Sequence, residues 1–214
     1  MLDTVIFDLD GTLLDTLDDL YLSVNHILNK YNFPLRTKDE VRMFVGNGVP
    51  KLIERALPKG HGKETFDSAL ADFKEYYGAH CNDNTKPYPK INESLSCLKA
   101  QGYKIAVVSN KVDFATKSLC RDYFGDLVDV AIGQREGIEK KPAPDSVFEA
   151  MRILNSKEAV YIGDSDVDIM TAKNANLPCI VVTWGFRDKD FLLSNGGEIF
   201  AHNADEMMAI IEKM

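Results

Sequence analysis

Short apolar runs alternate with helical patterns along the chain, and this alternation constrains the fold more than any other feature. Helical periodicity separates the runs, which predict strands at 4–8, 104–108, 128–132, 159–162, 179–183 and 198–201. Parallel strands need a crossover connection, usually a helix, between one strand and the next. The alternation therefore predicts an α/β fold with a Rossmann-like, doubly wound parallel sheet.

The alternation has one long interruption, which begins directly after the first strand. There the apolar residues follow helical spacing without a strand pattern, and Thr16 and Asp19 have the spacing of a capping box at the start of the first helix. We expect this block, residues 15–85, to form an inserted α-helical cap. The Rossmann-like core then consists of residues 1–14 and 86–214.

Composition and charge exclude several classes of partner. The chain has 25 basic and 33 acidic residues, and its formal net charge of −8 argues against nucleic acid as a general partner. No apolar run approaches the roughly 20 residues of a membrane-spanning helix, and the acids near the N-terminus are untypical of a signal peptide. The four cysteines lack the close spacing of a zinc site. We expect a cytoplasmic protein with reduced cysteines and no membrane partner.

Polar side chains cluster where the predicted strands end. The residues concerned are Asp8, Asp10 and Thr12 after the first strand, Ser109 and Asn110 after 104–108, Lys141 before the helix that Pro144 opens, and Asp164 and Asp168 after 159–162. Individually, these groups could be turns, helix caps or a surface lysine. Ligands of doubly wound sheets bind at the carboxyl ends of the strands, so the joint placement indicates one functional site.

The acids of this site predict a metal ion. Carboxylates that converge on one point repel one another unless a cation lies between them. Mg²⁺ prefers oxygen ligands, and it often binds through one or two carboxylates plus a substrate phosphate. Asp8 and Asp164 are the natural side-chain ligands, so Mg²⁺ is the expected cofactor.

The remaining groups suit phosphoryl transfer. The Asp8 carboxylate can attack phosphorus and form an aspartyl-phosphate. Asp10 can donate a proton to the leaving oxygen and later deprotonate the attacking water. Hydrogen bonds and positive charge would hold the transferring oxygens, supplied by Thr12, Ser109, Asn110 and Lys141. We therefore expect a small phosphorylated metabolite as the substrate.

The four clusters, in this order, resemble the motifs of the haloacid dehalogenase superfamily of phosphotransferases. The motifs are matched by Asp8-x-Asp10-Gly11-Thr12, Ser109, Lys141-Pro-x-Pro144 and Gly163-Asp164-Ser165-x-x-Asp168. The match covers nearly the whole chain, and it implies a Rossmann-like core, dependence on Mg²⁺ and a helical cap inserted after the first motif. It also implies that Asp8 is the nucleophile and Asp10 the general acid and base.

The resemblance further implies a set of metal ligands. They would be the Asp8 carboxylate, the main-chain carbonyl of Asp10 and Asp164, with Asp168 in the outer shell or as an occasional ligand. A 2-haloacid dehalogenase would not need the second acid, Asp10, so its presence favours phosphoryl chemistry.

A narrower resemblance lies in the cap. The segment Val45-Gly46-Asn47-Gly48 looks like that of the phosphoglycolate phosphatase branch, and its glycines would let the backbone approach a substrate closely. The same segment could be a tight turn between two cap helices. Neighbouring branches act on pyrophosphate, nucleotides or sugar phosphates, so these substrates stay open.

Other activities fit the sequence less well. A β-phosphoglucomutase-like phosphomutase usually carries a His and a Lys in the cap just after the first motif, whereas here His26 is the only basic residue before Lys30. A phospho-accepting signalling domain is about half as long, lacks a cap and bears its acceptor Asp in a middle strand. A non-catalytic scaffold would have no reason to keep all four clusters. We therefore expect an enzyme, a phosphoric monoester hydrolase.

Overall fold

The computed structural model describes residues 2–214, which divide into two compact units. One unit combines the N-terminal segment through Leu14 with Pro87–Met214, and the other is Asp15–Lys86. Two-residue strands lie where the chain passes from one unit to the other, and they pair as a small separate sheet: β2 (Leu14–Asp15) and β3 (Lys86–Pro87).

The first unit is built on a six-stranded sheet whose strands are β1 (Thr4–Phe7), β4 (Lys104–Val112), β5 (Val130–Gln134), β6 (Ala159–Gly163), β7 (Cys179–Val182) and β8 (Ile199–Ala201). Their order across the sheet is β5-β4-β1-β6-β7-β8, and every pairing is parallel. The helices of this unit are α5 (Ile91–Ala100), α6 (Asp113–Phe124), α7 (Asp145–Leu154), α8 (Asp166–Asn174), α9 (Lys189–Ser194) and α10 (Ala204–Ile211). A 3₁₀ turn, Gly125–Leu127, follows α6.

The core lies on both faces of this sheet, because successive side chains of a strand point to opposite faces. In β1, Val5 and Phe7 join one buried cluster with α5 and α10, whereas Ile6 joins another with α7 and α8. Both faces of β1 are thus covered, which explains why its four residues are all buried. The predicted α/β fold with a Rossmann-like parallel sheet is confirmed.

The second unit consists of four helices: α1 (Leu17–Lys30), α2 (Lys38–Phe44), α3 (Val49–Ala56) and α4 (Lys63–His80). Between residues 16 and 85, all of which the structure describes, there is no strand. The function of this unit as a cap stays a prediction. Among residues 2–214, no helix combines the length and apolar character needed to cross a membrane.

The start of α1 differs from the expected capping box. The Thr16 side chain makes no capping hydrogen bond, so that prediction was wrong. The Asp19 side chain instead contacts Asn84 and Thr85, at the C-terminal end of the helical unit. Its buried carboxylate accepts from the main-chain N–H of Asn84 at 2.9 Å, and from the main-chain N–H and hydroxyl of Thr85 at 2.9 and 2.7 Å. A carboxylate bound to several donors thus ties the two ends of the unit together.

Replacing Asp19 with alanine is expected to lower the free energy of unfolding by about 3 kcal/mol, because several buried donors would lose their acceptor. The matched control is Asp18→Ala, since Asp18 is 46% exposed and forms a surface ion pair with Lys38. That control should change stability by no more than about 0.5 kcal/mol. Urea denaturation of both variants measures the difference, and equal losses would contradict the structural role of Asp19.

Candidate active site

Strand register brings the polar clusters to one edge of the sheet. β1 lies between β4 and β6, and Phe7 at the end of β1 pairs with Val107 and with Ile162. The next residue, Asp8, still donates its main-chain N–H to the carbonyl of Ile162 at 2.8 Å. Residues at or just beyond the ends of the three strands therefore lie side by side, at the carboxyl ends where ligands of such sheets bind.

Lys141 is the centre of the charge network at this edge. Its side chain is 3% exposed, and its Nζ lies 2.7 Å from Asp8 Oδ1 and 2.8 Å from Asp168 Oδ1. The same ammonium donates to the hydroxyl of Tyr161 at 3.0 Å. Burial by itself would lower the pKa of Lys141, but the neighbouring Asp168 and Asp8 carboxylates raise that pKa well above its ordinary value. Lys141 is therefore a permanent positive charge between two acids.

Asp168 is bound by protein donors on both carboxylate oxygens. Oδ1 accepts from Lys141 and, at 3.0 Å, from the Tyr161 hydroxyl. Oδ2 accepts from the main-chain N–H of Ser165 at 3.1 Å and from its hydroxyl at 2.5 Å, which forms a capping box at the start of α8. Asp168 therefore fixes the position of Lys141 and of the first turn of α8.

Asp164 lies in a tight pocket formed by backbone. Its Oδ1 accepts from the Thr12 hydroxyl at 3.2 Å, and its Oδ2 accepts from the main-chain N–H of Phe186 at 2.6 Å. A Cβ atom on either Gly11 or Gly185 would overlap the Asp164 side chain. Glycine is therefore needed at both positions for the two loops to pack against this carboxylate.

Three buried acids, Asp8, Asp164 and Asp168, can each place one carboxylate oxygen within 4.8 Å of the others. Burial, reinforced by Asp168, raises the pKa of Asp164 to about 7. Burial and the neighbouring Asp168 and Asp164 carboxylates also raise the pKa of Asp8 above its ordinary value, although Lys141 opposes the shift. One lysine among three carboxylates leaves excess negative charge, and a donor set made only of oxygens suits a hard cation.

The residues that end β4 complete the edge. Lys111 Nζ lies 2.9 Å from Asp10 Oδ1 in a pair whose side chains are only 4% and 15% exposed. The Ser109 hydroxyl accepts from the main-chain N–H of Lys111 at 3.2 Å. Asn110 donates its side-chain N–H to the main-chain carbonyl of Lys141 at 3.0 Å. The end of β4 is thus bound both to the segment after β1 and to the Lys141 segment.

The predicted site residues of the first unit therefore lie at one edge, namely Asp8, Asp10, Thr12, Ser109, Asn110, Lys141, Asp164 and Asp168. Gly46, Asn47 and Gly48 belong to the helical unit, where they separate α2 from α3. Both glycines there have positive φ, +115° at Gly46 and +84° at Gly48.

Sequence reasoning missed Tyr161 and Lys111. Tyr161 lies in the apolar run of β6, so its pattern predicts a core residue, and only the hydroxyl distinguishes it from its neighbours. Lys111 was visible as a basic residue next to Ser109 and Asn110 at a strand end. That position was a usable signal, because the other strand ends carry the acids that a lysine could pair with.

The chain is similar to known proteins over most of its length. The family model described as haloacid dehalogenase-like hydrolase matches residues 5–182. A phosphoglycolate phosphatase of Psychrobacter arcticus is 35% identical, with 97% of this chain and 94% of that protein covered. A phosphoglycolate phosphatase of Aquifex aeolicus is 32% identical, with 91% of this chain and 93% of that protein covered.

A solved structure shows the same fold. The crystal structure of a predicted phosphoglycolate phosphatase from Haemophilus somnus superposes with a TM-score of 0.90 at 28% identity, and 98% of each chain is covered. The similarity extends over both units of the chain, since neither unit is left out at that coverage.

Proposed function

The chain belongs to the haloacid dehalogenase-like hydrolase family and is a phosphatase, and from this premise we propose that it hydrolyses small phosphate monoesters of the phosphoglycolate type. The reaction would proceed through an aspartyl-phosphate on Asp8. The relatives supply the class of reaction, and the charge network at the carboxyl edge of the sheet supports the roles of individual residues.

The observation that carries the proposal is the setting of Asp8. Asp8 is buried and directly follows β1, and within residues 2–214 the hydrogen bond to its carboxylate falls on Oδ1, from Lys141. The other oxygen, Oδ2, is therefore available for attack. The lysine fixes the orientation of the carboxylate, and a fixed nucleophile reaches an in-line geometry without a further loss of freedom.

The proposed reaction has two chemical steps, and Asp8 and Asp10 supply the reacting groups of the protein in both. In the first, a bond forms between an Asp8 oxygen and phosphorus while the bond from phosphorus to the ester oxygen breaks, and Asp10 gives its proton to the leaving alkoxide. In the second, water attacks phosphorus, Asp10 takes the water proton, and Asp8 is released as a carboxylate. The products are an alcohol and inorganic phosphate.

Mg²⁺ is the cation that we propose for the acidic cluster. Asp8, the main-chain carbonyl of Asp10 and Asp164 would hold it, and when bound it supplies positive charge that shields the approach of a carboxylate to an anionic phosphate. Asp168 would act from the outer shell, because among the described residues each of its oxygens already accepts from two protein donors, whereas each Asp164 oxygen accepts from one.

The phosphoryl oxygens would lie among Thr12, Ser109, Asn110 and Lys141. Lys141 contributes the positive charge, and the Ser109 hydroxyl can donate its own proton while it accepts from the main-chain N–H of Lys111. The side chains of Thr12 and Asn110 donate to Asp164 and to the Lys141 carbonyl, so they also hold those two residues in place.

An assay with and without Mg²⁺ tests the proposed function. We expect the purified chain to hydrolyse phosphoglycolate in the presence of Mg²⁺, with kcat/KM higher than for pyrophosphate, nucleoside monophosphates or sugar phosphates. Activity should disappear with EDTA and return when excess Mg²⁺ is added. Preference for another of these esters would overturn the substrate assignment, whereas activity that persists with EDTA would overturn the metal.

The Gly46–Gly48 segment is the proposed specificity element, and it provides a variant for the same assay. Replacing Gly46 and Gly48 with alanine strains a backbone that has positive φ at both positions. We expect kcat/KM for phosphoglycolate to fall by about 10-fold or more, as for lost binding contacts worth about 1.4 kcal/mol. Acetyl phosphate, a smaller substrate, should be affected much less, and equal losses on both substrates would leave the segment as a structural turn.

A further inference from the structure

A second buried lysine lies at this edge of the sheet, and the proposed reaction has not used it. Lys111 is buried, and its Nζ lies 2.9 Å from Asp10 Oδ1. We propose that Lys111 is a positioning residue that holds the Asp10 carboxylate in the orientation needed for proton transfer to the leaving oxygen. This inference rests on the proposed function, because it concerns the residue assigned there as general acid and base.

The fold itself creates the pair. β1 and β4 are parallel neighbours, and Phe7 pairs with Val107. Asp10 lies three residues beyond the first of these positions, and Lys111 lies four beyond the second, so both lie at the same edge of the sheet. The register of β4 against β5 shifts between Val108 and Val112, which shows that the end of β4 is irregular where it carries Lys111.

The ion pair with Lys111 holds the Asp10 side chain at a turn of the chain. Asp10 precedes Gly11, whose φ of +91° allows the tight turn after β1, and the side chain of Asp10 lies outside the regular strand. Within residues 2–214 the hydrogen bond to its carboxyl group falls on Oδ1, so the proton that Asp10 gives to the leaving oxygen would be carried on Oδ2. Charge-assisted hydrogen bonds are short and strong, and low exposure limits screening by solvent.

The two buried lysines have separate partners. Lys141 binds Asp8 and Asp168, whereas Lys111 binds Asp10. Loss of Lys111 should therefore leave the nucleophile in place and impair the proton donor. That distinction gives a signature that a general disturbance of the fold would not produce.

The experiment compares leaving groups in the Lys111→Met variant, with Mg²⁺ present. An alkyl phosphate, either phosphoglycolate or the alkyl ester hydrolysed fastest, needs a proton on its leaving oxygen. 2,4-Dinitrophenyl phosphate releases a stable phenolate and does not. We expect kcat/KM to fall by about 10- to 100-fold for the alkyl ester, a part of the ~10²–10⁴-fold that a positioned proton donor contributes. The aryl ester should lose no more than about 3-fold, since its leaving group bypasses that contribution.

Two further variants serve as controls. Lys111→Arg keeps a charged donor and should restore much of the activity on the alkyl ester. Lys99→Met removes another lysine–aspartate pair of the same unit, 2.6 Å from Asp129 and away from the carboxyl edge, and it should leave both substrates unaffected. Equal losses of Lys111→Met on both esters would overturn the inference, because a structural or phosphate-binding lysine does not depend on the leaving group.

A double-mutant cycle with Asp10→Asn separates this inference from the proposed function. If Lys111 acts through Asp10, the double variant should lose no more activity on the alkyl ester than Asp10→Asn alone, whereas independent effects would multiply. Multiplied losses would overturn the positioning role of Lys111. If Asp10→Asn showed no dependence on the leaving group, the proposed role of Asp10 would fall, and this inference with it.

Discussion

Replacing Asp8 with asparagine is expected to lower kcat by at least about 10⁴-fold, because Asp8 is the proposed covalent nucleophile and an amide is a poor nucleophile. Asp8 directly follows β1, and its carboxylate is 2.7 Å from the Lys141 ammonium. An asparagine side chain has nearly the same shape, so the strand and the cluster around Lys141 should still form. The measurement is steady-state hydrolysis of phosphoglycolate in the presence of Mg²⁺.

The fold and the intermediate can be followed separately from the rate. Circular dichroism should show an unchanged fold for Asp8→Asn, and mass spectrometry of acid-quenched reactions should find the phosphorylated enzyme in the wild type alone. Asp126→Asn, an exposed substitution of the same chemistry, is the matched control and should keep full activity. If Asp8→Asn retained more than a tenth of wild-type activity, the nucleophile would have to be another residue.

Replacing Asp10 with asparagine is expected to lower kcat/KM for an alkyl phosphate by about 10²–10⁴-fold, the usual contribution of a positioned general acid and base. The amide cannot donate a proton to the leaving oxygen, nor take one from water. Steady-state kinetics on phosphoglycolate measures the loss. Because Asp10 would act in both half-reactions, kcat should also fall for esters with good leaving groups, once hydrolysis of the aspartyl-phosphate becomes rate-limiting.

Calorimetric measurement of Mg²⁺ affinity tests whether the Asp10 carboxylate binds the metal ion. The proposed metal contact of Asp10 is its main-chain carbonyl, which the substitution keeps, so Mg²⁺ affinity should change little. Asp164→Asn is the informative comparison, since its carboxylate is a proposed direct ligand and its loss should weaken Mg²⁺ binding. A large loss of Mg²⁺ affinity in Asp10→Asn would show that its carboxylate, and not its carbonyl, binds the ion.

Much of the fold was predictable because the patterns concerned are local. The strand expected at 159–162 is Ala159–Gly163, and the helix expected at 91–100 is Ile91–Ala100. The strand expected at 128–132 lies two residues later, at Val130–Gln134. Apolar periodicity extends over the whole of an element, but its ends depend on hydrogen bonds to neighbours, which the pattern does not contain.

Short elements escaped prediction for a related reason. The strands β2 and β3 have two residues each, which is too few for an alternating pattern, and helix Lys189–Ser194 has six. The prediction of a capping box at Thr16 was wrong for a different reason. Asp19 has the right spacing to Thr16, but Asn84 and Thr85, 65 and 66 residues further along the chain, offer its carboxylate more donors than a helix end does.

The sequence by itself determined the main strands and helices and the polar side chains that lie at the strand ends. Runs such as Val5–Phe7 predict strands because neighbouring residues decide the periodicity, and acids directly after such runs have to lie at the edge of the sheet. The tertiary structure decided which charges meet. Lys111 faces Asp10, and Asp168 lies near Asp8, because β4 and β6 flank β1 in the sheet. Lys141, in the segment between β5 and α7, binds both Asp8 and Asp168. Strand order is set by packing between residues far apart in the chain, and local periodicity therefore does not predict it.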